Sequence, residues 1–419
     1  MKQKVFFKTF GCRTNQFDTQ VMINHLDDYD LTSAEQESDV IVVNSCTVTN
    51  GADVGVRQYI SQVQKKYPSK KVLLTGCGAV SRGEELFESK KLFGVFGHSE
   101  KQQINSLLNE TTRFYKKGNL EYIDTSVVSE YVGKTKAFIK IQEGCDFRCS
   151  YCIIPSVRGN ARSLDETNIL KQIEILASNG YGEFVLTGTN TGSYGKDNGS
   201  SIASLIKKIS LIRGVVRIRL GSLEPIQIDE EFKELLNEEF MAKHLHIALQ
   251  HTSNTMLELM NRRNRFEDDV ELFADISSRG YAIGTDYIVG HPGESESVWE
   301  EALANIALLP LSHLHPFTYS KRDDTPSAKI KEQISGTIAK ERLHILRNKI
   351  KQKNQEFRQN IKEQGTPLKI LVESHKDGVF YGLDQYFNKM QITSDKDLVH
   401  TWIQVSDYEL RENNNLATY

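Results

Sequence analysis

The sequence has no surplus of charge, no membrane-length apolar run and no cysteine outside two groups of three. Its 52 Lys and Arg against 55 Asp and Glu leave a formal net charge of −3. That excludes the global signature of a nucleic-acid binder, so any such binding must come from a local patch. No apolar stretch approaches the length of a transmembrane helix. The start, Met-Lys-Gln-Lys followed by Val5, Phe6 and Phe7, meets a charged Lys8 at once, too soon for a signal-peptide core. The expected compartment is the reducing cytoplasm, where grouped cysteines mean metal or catalysis more often than disulfides.

All six cysteines are accounted for by Cys12, Cys46 and Cys77, each just after an apolar run, and by Cys145, Cys149 and Cys152 in a C-x-x-x-C-x-x-C loop. Three thiolates are one too few for a closed tetrahedral metal site, and on a four-iron cluster they leave one iron open. A zinc site would want a second Cys-x-x-Cys or a His pair near the loop, which is absent. The odd count in each group argues against disulfides. For each of Cys12, Cys46 and Cys77 taken alone, a small buried thiol is the alternative.

The 419 residues suit about three domains. Short apolar runs at residues 5–10, 40–44, 72–75 and 93–96 alternate with helical periods at 16–26 and 54–65. This alternation predicts an α/β fold whose first domain, residues 1–112, is a doubly wound parallel sheet. Its three cysteines then fall at the carboxyl ends of strands, the edge where ligands bind. Residues 113–134 are polar and read as a linker. Residues 135–364 hold six further β/α units, with strands expected at 137–142, 184–187, 216–220, 246–249, 283–289 and 313–317. They suggest a full or partial barrel with its site at the strands' carboxyl ends. Residues 331–364 have long-helix spacing and nine Lys or Arg against four acids. That surface is either a solvated face or a phosphate contact. Residues 365–419 read as a small β-barrel, mildly acidic.

The loop Cys145-Asp-Phe-Arg-Cys149-Ser-Tyr151-Cys152 resembles the signature of the radical S-adenosylmethionine superfamily. The resemblance implies that the open iron chelates S-adenosylmethionine and that reductive cleavage yields a 5′-deoxyadenosyl radical, chemistry no side-chain base can supply. Residues 11–18 (Gly-Cys-Arg-Thr-Asn-Gln-Phe-Asp), 44–49 and 75–77 are similar to the amino-terminal domain of methylthiotransferases. Stretches at 186–192, 221–225, 249–250, 260–263, 286–294 and 319–322 match the same family, and the last domain resembles a TRAM module, which contacts tRNA. The family implies two 4Fe-4S clusters, the second handling the inserted sulfur. It also implies S-adenosylmethionine used both as methyl donor and as radical source, and a one-electron donor such as flavodoxin or ferredoxin. The sulfur source is not indicated. Arg13-Thr14-Asn15 and residues 187–192 look most like the branch that acts on N6-threonylcarbamoyladenosine at position 37 of tRNA. The isopentenyladenosine branch usually has Gln-Met-Asn after its first cysteine, and the ribosomal-protein branch Pro-Lys-Asn. Those two substrates are the alternatives of the same chemistry. An iron–sulfur electron carrier or RNA-binding sensor is the alternative of another class, and a zinc-stabilised structural protein a further one.

By the same resemblance Tyr151, Thr187, Gly188, Thr189, Ser222, Glu224 and Gln250 are candidates to contact S-adenosylmethionine. Arg158, Arg162 and Arg322 are candidates for the tRNA substrate. The glycine-rich stretch at 188–192 lacks the Gly-Lys-Ser/Thr of a phosphate loop. The sequence departs from the family at His251, at His291 and at Asp323-Asp324. A lone histidine is more often packed than catalytic.

Overall fold

The computed structural model describes residues 2–419. The first sheet has six strands: β1 (Gln3–Thr9), β2 (Tyr29–Leu31), β3 (Val40–Ser45), β4 (Lys71–Gly76), β5 (Gly94–Phe96) and β6 (Phe114–Lys116). They lie in the order β2-β1-β3-β4-β5-β6 and every pairing is parallel. The central β3, Val-Ile-Val-Val-Asn-Ser, is buried along its whole length, as a strand covered on both faces must be. Helices α1 (Arg13–Asn24), α2 (Asn50–Lys66) and α3 (Cys77–Glu88) follow β1, β3 and β4. The stretch expected as a linker from residue 113 instead supplies β6, because Phe114 packs edge-on against Phe93 with ring centroids 6.3 Å apart. The sheet therefore runs past residue 112.

The second unit is an open half-barrel of six strand positions. Ala137–Lys140, Glu183–Thr187 and Arg217–Leu220 pair in parallel. The third strand breaks at Gly221, so that Ser222–Leu223 pairs onward with His244–Ile247, which pairs with Ala282–Val289 and then His313–Thr318. Among the described residues the first and last strands are not paired. The apolar core lies between these strands and their outer helices, with Ile139, Leu186, Ile218, Leu245, Ile283 and Leu314 facing it. Alternate residues face the lumen.

The basic stretch forms the helix Gly336–Glu363. Two of its cations do not face solvent. Arg342 is buried and donates to Glu294 at 2.8 Å, and Arg358 is buried and donates to the carbonyls of Arg411 and Asn414 at 2.9 Å. The last domain is a curled sheet in the order Trp402–Val405, Leu368–Lys376, Val379–Leu383, Lys389–Thr393, Asn415–Thr418, Glu409–Leu410. The sequence has short β-like runs at residues 368–373, 378–382, 389–393 and 400–405, and four of these strands lie on them. The final two escape prediction because Asn413 to Asn415 masks a short hairpin. No helix among the described residues is long and apolar enough to cross a membrane.

The curled sheet is tied to the barrel through a buried ion triad. Glu183 accepts from Arg217 at 2.6 Å and from Arg219 at 2.9 Å. The same arginines donate to the carbonyls of Lys369 (2.9 Å) and Asp384 (2.5 Å). Burial alone would raise the Glu183 carboxyl, but Arg219 and Arg217 outweigh it and hold it down at about 2. Glu183→Gln leaves both guanidinium groups short of a counter-charge inside the fold. The expected outcome is a loss of about 3–5 kcal/mol, read as a lower urea midpoint in the fluorescence of Trp402, which stacks on Arg217.

Candidate functional site

The three loops that carry Cys12, Cys46 and Cys77 are drawn together by glycine. Gly11 (φ +96°) and Gly76 (φ +88°) both occupy the left-handed region. A Cβ at Gly11 would lie 2.6 Å from the Cys46 Cβ, and one at Gly76 would lie 2.4 Å from the Ser45 carbonyl. Side chains then stitch the loops. Asn15 donates to the Phe10 and Ser45 carbonyls at 2.8 and 2.9 Å, Asn44 donates to the Asn15 carbonyl at 2.8 Å, and Ser45 donates to the Thr75 carbonyl at 2.5 Å. Cys12 caps α1 and is exposed, while Cys46 and Cys77 are buried. Burial pushes the Cys77 thiol up to about 11, against the pull of Arg158.

The second loop leaves the end of the first barrel strand. The Cys145 amide donates to the Gly159 carbonyl at 3.1 Å, and the Cys152 amide to the Cys149 carbonyl at 3.0 Å. Ser150 holds the loop from behind, its amide on the Met260 carbonyl and its hydroxyl on the Leu259 carbonyl, both at 2.9 Å. Two donors are aimed at the sulfurs: Asn190 Nδ2 lies 3.7 Å from Cys145 Sγ and Arg262 Nη1 lies 3.7 Å from Cys149 Sγ. Burial raises Cys145 and takes Cys152 to about 12. Metal binding at either group therefore displaces protons.

Both groups open on one cavity of about 340 Å³, lined by all six cysteines. Tyr151, Gly188, Thr189, Ser222, Glu224 and Gln250 line it too. Tyr151 packs with Met256, Met260 and Ile288. Thr189 Oγ1 accepts from the Gly144 amide at 3.2 Å, so the expected strand-end residues frame the cysteine loop. Glu224 forms an ion pair with Arg262. Gln250 has φ +68°, unusual for a side-chain-bearing residue, and its backbone is clamped between Asp286 and Ile288. Thr187 sits below the cavity, buried in its strand, with its carbonyl on the Ile141 amide at 2.9 Å.

The three arginines expected at the substrate are engaged elsewhere. Arg158 borders the cavity but is 2% exposed. It donates to Asp18 at 2.9 Å, to Glu143 and Asn15 at 2.5 Å, and to Cys77 Sγ at 3.2 Å. Arg162 is held by the carbonyls of Tyr122 and Arg158, both at 2.8 Å. Arg322 is buried against Thr47 and Asp53, both at 2.8 Å, and against Asn50 at 2.7 Å. All three join the first sheet or the chain after it to the barrel, and each guanidinium is held by protein groups, with only the Nε of Arg322 among their buried donors left without a partner. His251 and His291 are packed: His251 lies 3.2 Å from Glu294, and His291 contacts Ser327, which donates to Ser150 behind the cysteine loop, both at 2.8 Å. Burial takes His291 down to about 4.

Arg262, Asn190 and Asp286 line the cavity and were not singled out from sequence, although residues 260–263 and 286–294 were matched as stretches. The soft donor set, three sulfur-directed N–H groups and a shared cavity fit iron–sulfur clusters held by three thiolates each. The Oδ1 of Asn190 and the Nε of Arg262 are buried polar atoms without a hydrogen-bond partner, on residues that line this same space.

Comparison with known proteins agrees with this geometry. Residues 4–97 match the family described as uncharacterized protein family UPF0004, and residues 139–306 match the radical SAM superfamily. Two Helicobacter pylori proteins, whose names propose a methylthiotransferase without giving a substrate, are 57% identical over the whole of both chains. The threonylcarbamoyladenosine tRNA methylthiotransferase MtaB of Aquifex aeolicus is 37% identical over 88% of this chain and 92% of its own. A tRNA-2-methylthio-N(6)-dimethylallyladenosine synthase of Fervidobacterium nodosum is 31% identical over 91% and 90%. Among solved structures, the cobalamin-bound radical S-adenosylmethionine methyltransferase TsrM of Kitasatospora setae shares the fold, with TM-score 0.61, 16% identity and 78% of this chain covered against 77% of its own. The chain belongs to the methylthiotransferase family of radical S-adenosylmethionine enzymes, which implies S-adenosylmethionine and a 4Fe-4S cluster as cofactors.

Proposed function

We propose that this enzyme places a methylthio group on C2 of N6-threonylcarbamoyladenosine at position 37 of tRNA, using two 4Fe-4S clusters. The observation that carries the reading is the opening of both cysteine triads on one cavity. Cys145, Cys149 and Cys152 would hold the cluster that binds S-adenosylmethionine, and Cys12, Cys46 and Cys77 the second. When bound, these groups supply the one-electron chemistry that removes the C2 hydrogen and the sulfur that replaces it. The chain's own part is positional and electrostatic. Asn190 and Arg262 donate toward cysteine sulfur and spread its negative charge. Tyr151, with Met256, Met260 and Ile288, gives one wall an apolar backing. Gly188 leaves no room for a side chain against Gln142, so bare backbone faces the ligand space. Gly188, Thr189, Ser222, Glu224 and Gln250 are the proposed contacts to S-adenosylmethionine.

The choice of nucleoside rests on Arg13-Thr14-Asn15 and on relatives named MtaB. The Fervidobacterium relative's name supports a second reading, action on dimethylallyladenosine. In either case the partners are tRNA and a flavodoxin- or ferredoxin-like electron donor, and the enzyme works in the cytoplasm.

Two measurements test this. Mass spectrometry of tRNA nucleosides from a deletion strain should show loss of the 2-methylthio form of threonylcarbamoyladenosine, restored by the intact gene. An unchanged level of that nucleoside overturns the assignment. Iron analysis of Cys12→Ala and Cys149→Ala should find about half the iron of the parent in each. S-adenosylmethionine cleavage should persist only in Cys12→Ala, and cleavage in both variants would refute the assigned roles.

A further inference from the structure

Charge lines the lumen of the half-barrel where a closed barrel would be filled with apolar side chains. His244 and His246, Asp286, and His313 and His315 stand on three adjacent strands in one register. His246 and His315 stack at 5.3 Å, and Asp286 lies 3.2 Å from the first and 3.6 Å from the second. Glu183, Arg217 and Arg219 form the opposite wall near the floor. Phe387 reaches in from the last domain and stacks on His244 at 4.8 Å.

The cations around this space each have a carboxylate partner, Glu183 being shared by two. Arg217 and Arg219 pair with Glu183, Arg262 with Glu224, Arg158 with Asp18 and Glu143, and Lys136 with Glu373. Arg13 is the exception. Its guanidinium lies over the Phe387 ring, 5.8 Å from the centroid, and among the described residues no carboxylate comes within the 4.0 Å that defines an ion pair. It also has no hydrogen-bond partner among them. Arg13 directly follows Cys12, so the residue that carries this guanidinium is joined to the first triad. A partly buried, unpaired guanidinium is a standing demand for an anion.

The nucleoside assigned above ends in a carboxylate, on the threonyl arm at N6, and the dimethylallyl nucleoside does not. We propose that Arg13 binds that carboxylate, and that this ion pair selects the substrate. The inference rests on the tRNA reading. A guanidinium presents a planar fork of N–H donors that matches a carboxylate in two parallel bonds. With C2 directed at the two triads, the arm enters the charged lumen and its carboxylate supplies the counter-charge that the protein withholds from Arg13.

The test uses reconstituted holoenzyme and two anticodon stem-loop RNAs, one carrying N6-threonylcarbamoyladenosine and one its methyl ester. The readouts are kcat/KM for methylthio product, equilibrium binding without reductant, and iron per chain. The parent should prefer the acid. In Arg13→Gln the acid-over-ester ratio should fall about ten- to hundredfold, in binding as in turnover. Arg13→Lys keeps the charge but loses the fork, so its ratio should lie between those of the parent and Arg13→Gln. A parent that uses both RNAs equally, an Arg13→Gln enzyme as selective as the parent, or an Arg13→Lys enzyme as indifferent as Arg13→Gln, each overturns the ion-pair assignment. A contact to RNA phosphate would instead weaken both RNAs alike. A parent that makes no methylthio product from the acid RNA refutes the underlying function, which is a different result.

Discussion

Arg158 is buried where the two halves of the molecule meet, and four groups converge on it. Asp18 and Asn15 come from the first helix, Cys77 from the third, and Glu143 from the strand that leads into the second cysteine loop. Around it Lys140 lies 2.9 Å from Asp18, 2.6 Å from Asp124 and 3.2 Å from Glu143, and Lys101 lies 3.1 Å from Asp18. Burial alone would raise the Asp18 carboxyl, but Lys101, Lys140 and Arg158 hold it well below the ordinary carboxylate range. Taking so many charges out of water is justified only if each meets its opposite in good geometry. Such a network tolerates little sliding. The separation of the two cysteine groups is thereby fixed by the interior of the interface rather than by the chain that links them.

That dependence explains what the sequence made visible. The positions of the six cysteines at strand ends followed from apolar runs and the rule that parallel sheets gather ligands at one edge. Gly11 and Gly76 could be matched as family residues, but their role needed the approach of Ser45 and Cys46 to be seen. The half-barrel's strands were legible because each is a short apolar run between helical periods. Strand β6 was not, because Phe114 and Tyr115 stand alone in polar surroundings and acquire meaning only against Phe93.

The arginines mark the limit of reading charge from sequence. Arg158, Arg162 and Arg322 lie near the site, and an arginine near a tRNA enzyme's site suggests a phosphate. Their partners lie 15 to 275 residues away in sequence or are backbone carbonyls, neither of which leaves a trace in composition. Arg342 and Arg358 in the long helix follow the same rule. Arg13 was legible in the sequence as part of a branch marker, but its lack of a partner among the described residues shows only in the folded chain.

Phe387 has φ +70° and sits between Asp384 and Asn388, which tie the turn together at 2.8 and 3.0 Å. It reaches under the histidines of the barrel, beside the carbonyl of Tyr386, which accepts from His313 at 3.0 Å. The last domain is therefore a stopper as well as an appendage. One end of the lumen is lined by the cysteines and the other is walled by a different domain, so the depth of the chamber is set by how that domain is seated.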